Sequence, residues 1–230
     1  MRAFNPTAQT RRELAQRLNR DIDTVLLNED EHALGELLTL AANGDTVTLC
    51  HRILRRATRL IRHQPSRGPA IIAARDRCVL AVYGSRAPKG WFVAWCDGSS
   101  GVGADAKQCG LGVVLMDAEH QVVAEFGERI GALSPLAAEM LALESAVRCA
   151  VAHEAGQLRV YTDCPALIHL WQQQRSDERL ARLREVVQGL RAFRLYLVPR
   201  RFNQLANRLA RQAACVRPSP NQAGNQHLLV

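Results

Sequence analysis

The sequence predicts an α/β chain: a five-stranded mixed sheet flanked by helices, preceded by a smaller, mainly helical N-terminal domain. Three observations predict it. Apolar residues recur at helical intervals as far as about His63. Beyond Trp91, short apolar runs alternate with Gly and Asp, the pattern of a strand meander. After Pro135, helix and strand patterns alternate to about Ala214, which adds further strands to the same sheet. The domains are expected at 1–83 (basic and helical) and 91–215 (the sheet). Gly84–Gly90 (GSRAPKG) reads as a linker and 216–230 as a polar, disordered tail.

In the first half, Thr10 and Glu13 have capping-box spacing, and Leu14, Leu18, Ile22 and Val25 then share a helix face. A second helix is expected from about Glu29 to Ala42, stopped by Asn43-Gly44. A third runs from about Thr46 to His63 and ends before Pro65. AIIAARDRCVLAVY (70–83) suits either another helix or a hairpin turning at Arg75-Asp76, and the hairpin is the expectation.

The second half opens with the strand WFVAWC, ending at Asp97, then LGVVLMD and VVAEFGERI. Pro135 starts an Ala/Leu-rich helix to about His153, and LRVYT makes the fourth strand. Cys164–Gln174 and Asp177–Phe193 read as helices, RLYLVP as the fifth strand, and Asn203–Ala214 as the last helix.

Composition narrows the class of function. Apolar residues at 47% and charged residues at 23% are those of an ordinary globular protein. No apolar run approaches the roughly 18–20 residues of a membrane span, and the N-terminus has no apolar signal-peptide core. Seven cysteines, odd in number and without a C-x-x-C pair, read as reduced thiols of a cytoplasmic chain. Cys96 and Cys164, beside two of the acids discussed next, read as packing residues. The formal charge is +8, and only Lys89 and Lys107 are lysine among 30 basic residues. That balance points to nucleic acid as partner, with no membrane and no inferable protein partner. The charge is uneven: residues 1–90 carry fifteen basic and nine acidic residues, and 91–230 carry fifteen and thirteen.

Three acids stand where a core would ordinarily refuse them. Asp97 follows the tryptophan strand, Glu139 sits in an apolar helix (SPLAAEMLAL), and Asp163 follows the fourth strand. Taken singly, Asp97 and Asp163 read as caps or turn formers and Glu139 as a partner of the helix dipole. Taken together, carboxylates at strand ends commonly line a site, and three that converge repel one another unless a cation intervenes. Hard oxygen ligands select Mg²⁺ or Mn²⁺, and two such ions about 4 Å apart drive in-line phosphodiester displacement.

Four motifs in order resemble the ribonuclease H family over about residues 91–214. They are Asp97-Gly98-Ser99, then Ala138-Glu139-Met140-Leu141-Ala142-Leu143, then Thr162-Asp163-Cys164, and finally Asn203-Gln204-Leu205-Ala206-Asn207-Arg208-Leu209-Ala210. The resemblance implies a ribonuclease H-like sheet that cuts the RNA strand of an RNA–DNA hybrid, double-stranded RNA being a further candidate. It implies two Mg²⁺ or Mn²⁺ ions, with Asp97 bridging them and Glu139 and Asp163 completing the coordination. One ion would activate the attacking water and the other would stabilise the departing 3′ oxygen. Gly98 and Ser99 would let the backbone approach the strand and its 2′-hydroxyls.

Two departures stand out. The family's fourth carboxylate falls on Asn207, which offers a carbonyl oxygen but no charge, so activity is expected to be weakened. The histidine loop of bacterial-type members is missing, since VPRRFNQ runs from strand to helix. That short connection, with Ser134-Pro135 before the glutamate helix, resembles the plant- and archaeal-type branch. His227 in the tail is a candidate proton shuttle, though a lone tail histidine is more often solvent filler.

The third helix is the clearest binding feature outside the carboxylates. Arg52, Arg55, Arg56, Arg59 and Arg62 fall on one face, opposite Ile53, Leu54, Ala57, Leu60 and Ile61, and suit phosphates or plain solvent. Arg175, Arg179 and Arg182 make a second stripe beside Asp177 and Glu178. ELAQRLNRDIDTV has an opening similar to a helix-turn-helix reader, but the acids after it suit a groove poorly. The N-terminal region lacks the aromatic-rich pattern of the hybrid-binding domain of some ribonucleases H. Three functions follow: a metal-dependent endoribonuclease, a binding protein on a degenerate scaffold, and a DNA-binding regulator built on the N-terminal helices.

Overall fold

Aspartates and a serine start three of the helices. Asp30 accepts from the Ala33 N–H, Asp45 from Val47 and Thr48, and Ser134 Oγ from Ala137, each satisfying donors that a first helical turn leaves open. The structure, a computed structural model, describes residues 8–100, 108–173 and 178–215. The N-terminal half holds α1 (Ala8–Asn28), α2 (Glu31–Asn43), α3 (Thr46–His63) and α4 (Gly68–Gly84). Then come β1 (Phe92–Ser100), β2 (Cys109–Met116), β3 (Val122–Gly131), α5 (Pro135–Ala152) and β4 (Gln157–Thr162). The described chain closes with α6 (Pro165–Gln172), α7 (Glu178–Gln188), β5 (Ala192–Leu197) and α8 (Gln204–Cys215).

The expected five-stranded mixed sheet is present, in the order β3-β2-β1-β4-β5. β1, β2 and β3 pair antiparallel, while β1–β4 and β4–β5 pair parallel. Alternation along β1 divides the core between two layers. Ala94 and Cys96 face α5 and α7 with Leu111, Val113, Leu143 and Leu183. Val93 and Trp95 face the other way, in one buried cluster with Tyr161, Phe202 and Ala206 and with Ile22, Ile53, Ile71 and Val79 of the N-terminal helices. The helical half thus covers a sheet face that α8 leaves open. Gly84 marks how closely: a Cβ there would stand 2.7 Å from the Trp95 ring.

Four expectations are corrected. The hairpin over 70–83 is absent: this segment belongs to α4, and Asp76 lies inside it, 3% exposed, bonded to Arg75 and Arg208. Thr10 is not a cap, because α1 already includes Ala8, and Glu13 accepts from Gln9 instead. Asp97 does not end its strand, for β1 runs on to Ser100. The helix expected to reach Phe193 stops at Gln188, before Gly189, and Phe193 pairs with Leu158 as part of β5. The tail with His227 lies outside the described residues, as does Arg175.

Candidate active site

Pairing register sets two of the acids side by side. Parallel pairing of β1 with β4 ends at Trp95 and Tyr161, and Asp97 and Asp163 each lie two residues further along. Both therefore share a sheet face with those rings, where neighbouring strands are about 4.8 Å apart. Cys96 points to the opposite face, its thiol fully buried and aimed at the Tyr161 carbonyl, and burial holds its pKa well above the ordinary range. Cys164 is half-buried with its pKa likewise raised by burial, so both fit packing roles.

Glu139 arrives from α5. Its Oε2 accepts the Gly98 N–H at 3.1 Å, and Gly98 has no room for a side chain, since a Cβ would lie 2.8 Å from the Ala138 carbonyl oxygen. The glycine of the Asp-Gly-Ser motif is thus needed for helix packing. Ser99 beside it is half-buried, its hydroxyl turned to the Ser100 carbonyl at 3.5 Å. Asn207 is brought in by α8, whose backbone lies directly over Gly110, Gly112 and Gly127. It is 4% exposed, and its amide nitrogen has no partner among the described residues.

Electrostatics single out Asp97. It is 1% exposed, and among the described residues neither carboxylate oxygen has a hydrogen-bond partner. Burial first, then the charges of Glu139 and Asp163, push its pKa up to about 8, against a small opposing pull from Arg200. Burial also raises Glu139 to about 7, partly offset by the Gly98 N–H. A buried carboxyl without donors must either keep a proton or take a cation.

Two residues to which sequence reasoning gave no site role complete the site: Asn203, quoted only as the first residue of the fourth motif, and Arg200. Asn203 is fully buried, and its Nδ2 donates to Asp163 Oδ1 at 2.6 Å and to the Cys96 carbonyl at 3.0 Å. Arg200, 61% exposed, donates to Asp163 Oδ2 at 3.4 Å. The signal for both was the short VPRRFNQ connection, a single 3₁₀ turn at Arg200–Phe202, which holds them beside the end of β4.

The donor set suits a hard divalent cation, and the donorless oxygens of Asp97 are the observation that fits one. Among the described residues, no three His, Cys, Asp or Glu side chains are already drawn together as a metal cluster. Asp163 is turned to Asn203 and Arg200 instead.

The five α3 arginines do not act as one face. Arg52 bonds Asn19 and the Ala15 carbonyl, and Arg56 pairs with Asp23, so both are committed to α1. Arg55, Arg59 and Arg62 remain exposed. On α7, Arg182 pairs with Glu178 at 2.5 Å.

Residues 96–213 match the family model described as reverse transcriptase-like, a ribonuclease H-like family. The chain belongs to that family. Comparison with curated proteins finds no match. Among solved structures, the ribonuclease H1 of the archaeon Halobacterium salinarum is 25% identical, with 54% of this chain and 97% of that one covered and a TM-score of 0.49. An N-terminal ribonuclease H domain from Mycobacterium tuberculosis is 24% identical, covering 54% and 93%, also at 0.49. A ribonuclease H1 isolated from compost, solved with an RNA/DNA hybrid, is 18% identical, covering 54% and 96%, at 0.47. The family match spans Asp97, Glu139, Asp163 and Asn207, and leaves α1 to α4 outside it.

Proposed function

We propose that this chain is a divalent-metal-dependent endonuclease that hydrolyses the RNA strand of RNA–DNA hybrids. The observation that carries the reading is Asp97, buried with two donorless oxygens beside Glu139 and Asp163, within a chain of the ribonuclease H-like family. Asp97, Glu139 and Asp163, with the Asn207 carbonyl, would hold Mg²⁺ or Mn²⁺. Bound there, the metal supplies an activated water and charge neutralisation for phosphodiester displacement.

The chain's own groups do the rest. The Gly98 N–H fixes one Glu139 oxygen and leaves the other for a ligand. Asn203 fixes Asp163 by one oxygen and ties it to β1 through the Cys96 carbonyl. Arg200, largely exposed, can swing from Asp163 to a phosphate, for which its forked guanidinium is suited. Ser99 lies two residues beyond Asp97 on the same face of β1.

A second reading, a nucleic-acid-binding protein on a catalytically poor scaffold, is favoured by one observation: Asn207 is neutral where the family motif has a carboxylate. One assay separates the two. A labelled hybrid is incubated with Mg²⁺ or Mn²⁺ and wild type, Asp97→Asn or Asn207→Asp. The nuclease reading expects cleavage by wild type, none by Asp97→Asn, and an increase of about tenfold or more in Asn207→Asp, worth about 1.4 kcal/mol in the barrier. Cleavage by Asn207→Asp alone would support the binding protein.

A further inference from the structure

We propose that the N-terminal helical half carries a second contact surface for the same duplex, a phosphate track formed by Arg55, Arg59 and Arg62 of α3 that continues from Arg200 and Arg201 beside the carboxylates. This rests on the nuclease reading for where the duplex lies.

The track follows from how α3 is held. Leu49, Cys50, Ile53, Ala57 and Leu60 are buried, which turns positions 55, 59 and 62 to the opposite side. Arg52 and Arg56 are bound to α1, whereas Arg55, Arg59 and Arg62 are exposed and form no ion pair among the described residues. The near end of α3 meets the active site directly. The His51 ring packs edge-on against Phe202 at 5.2 Å, Arg201 lies over the same Phe202 ring at 5.3 Å, and its neighbour Arg200 bonds Asp163. From His51 to Arg62 the helix rises about 16 Å at 1.5 Å per residue, the length of about five base pairs. The row therefore suits a duplex that extends past the cut site. An interfacial helix would insert its apolar face into lipid, whereas the apolar face of α3 is already buried in the core.

The test uses the full chain in EDTA, so that binding is read without cleavage. Fluorescence anisotropy is measured on RNA–DNA hybrids of about 8 and about 20 base pairs, across a salt series. The triple variant Arg55→Ala, Arg59→Ala, Arg62→Ala is expected to lose at least about tenfold in affinity for the long hybrid and little for the short one. Its log–log salt slope on the long hybrid should shrink by about 2 to 3, as for three lost phosphate contacts. A circular dichroism spectrum and a Tm equal to those of wild type show that the variant is folded. Equal affinity and equal slope on the long hybrid would overturn the track. So would wild-type binding to phosphatidylserine vesicles that the triple variant loses while its hybrid binding is unaltered. If the triple variant shows the expected loss of affinity and slope but wild type cuts nothing with either metal, the track stands and the nuclease reading falls.

Discussion

Asp97 and Gly112 are paired across β1 and β2, and the glycine is required because α8 lies directly on it. A Cβ at Gly112 would stand 2.6 Å from the Ala210 nitrogen and would overlap the Ala206 carbonyl oxygen, one residue from Asn207. Gly112→Ala must therefore lift α8 away from the carboxylates. The expected cost is about 2 kcal/mol, typical of overpacking against atoms that cannot yield. Urea denaturation reads the loss, and activity should fall with it. A variant as stable as wild type would show that α8 is free to shift.

The raised carboxyls make stability depend on pH with a definite sign. Folding raises Asp97 from 3.8 to about 8 and Glu139 from 4.5 to about 7, so the folded state binds more protons between those limits. Their contribution is fully present below about pH 4 and is lost as pH rises through 7 to 8. In EDTA, Tm should fall between about pH 5 and about pH 8, and Asp97→Asn should flatten much of that fall. Added Mg²⁺ should raise Tm at the alkaline end in wild type and much less in the variant. A flat wild-type profile in EDTA would contradict the burial argument.

Arg200 tests the electrostatics from the other side. Its charge pulls Asp97 and Glu139 back toward ionisation. Arg200→Ala should therefore move the rising limb of the pH–activity profile to higher pH, as well as lowering the rate. A lower rate with an unmoved limb would leave it a substrate contact only.

The ion pair between Asp76 and Arg208 ties α4 to α8, next to Asn207. Asp76 also holds Arg75, and its side chain is almost wholly buried. Asp76→Ala leaves charged partners without their acceptor, at a cost of about 3 kcal/mol, the low end for a broken buried pair because Arg208 is partly exposed. Asp76→Asn, which keeps an acceptor oxygen, should cost less. Thermal unfolding of both variants checks the order, and equal losses would mean that charge contributes nothing.

What was legible in the sequence depended on how local the cause was. The helix starts near Thr46 and Pro135, the stop after Asn43 and the meander follow from residues a few positions apart. The carboxylates could be picked out because acids next to apolar strands are rare whatever the register. The α4 error has the opposite origin: residues 70–83 are packed between other helices and the sheet, so the segment shows no clean period. Arg75-Asp76 resembled a turn because the partner that buries Asp76, Arg208, lies 132 positions away. The same holds for α3, where Arg52 and Arg56 find acceptors on α1 that a helical wheel cannot show. Asn203 was quoted in a motif without a role and Arg200 was not singled out, because a short connection carries no periodicity that points its side chains anywhere.

The central claim is that Asp97 marks a metal-dependent ribonuclease site, and one measurement reaches it most directly. An RNA–DNA hybrid labelled on the RNA strand is incubated with wild type and Asp97→Asn, with Mg²⁺, Mn²⁺ or EDTA, and the products are sized. The account predicts RNA fragments from wild type with metal, an intact DNA strand, and intact RNA with EDTA or with Asp97→Asn. Equal cutting by wild type and Asp97→Asn, or no cutting by wild type under either metal, would contradict it.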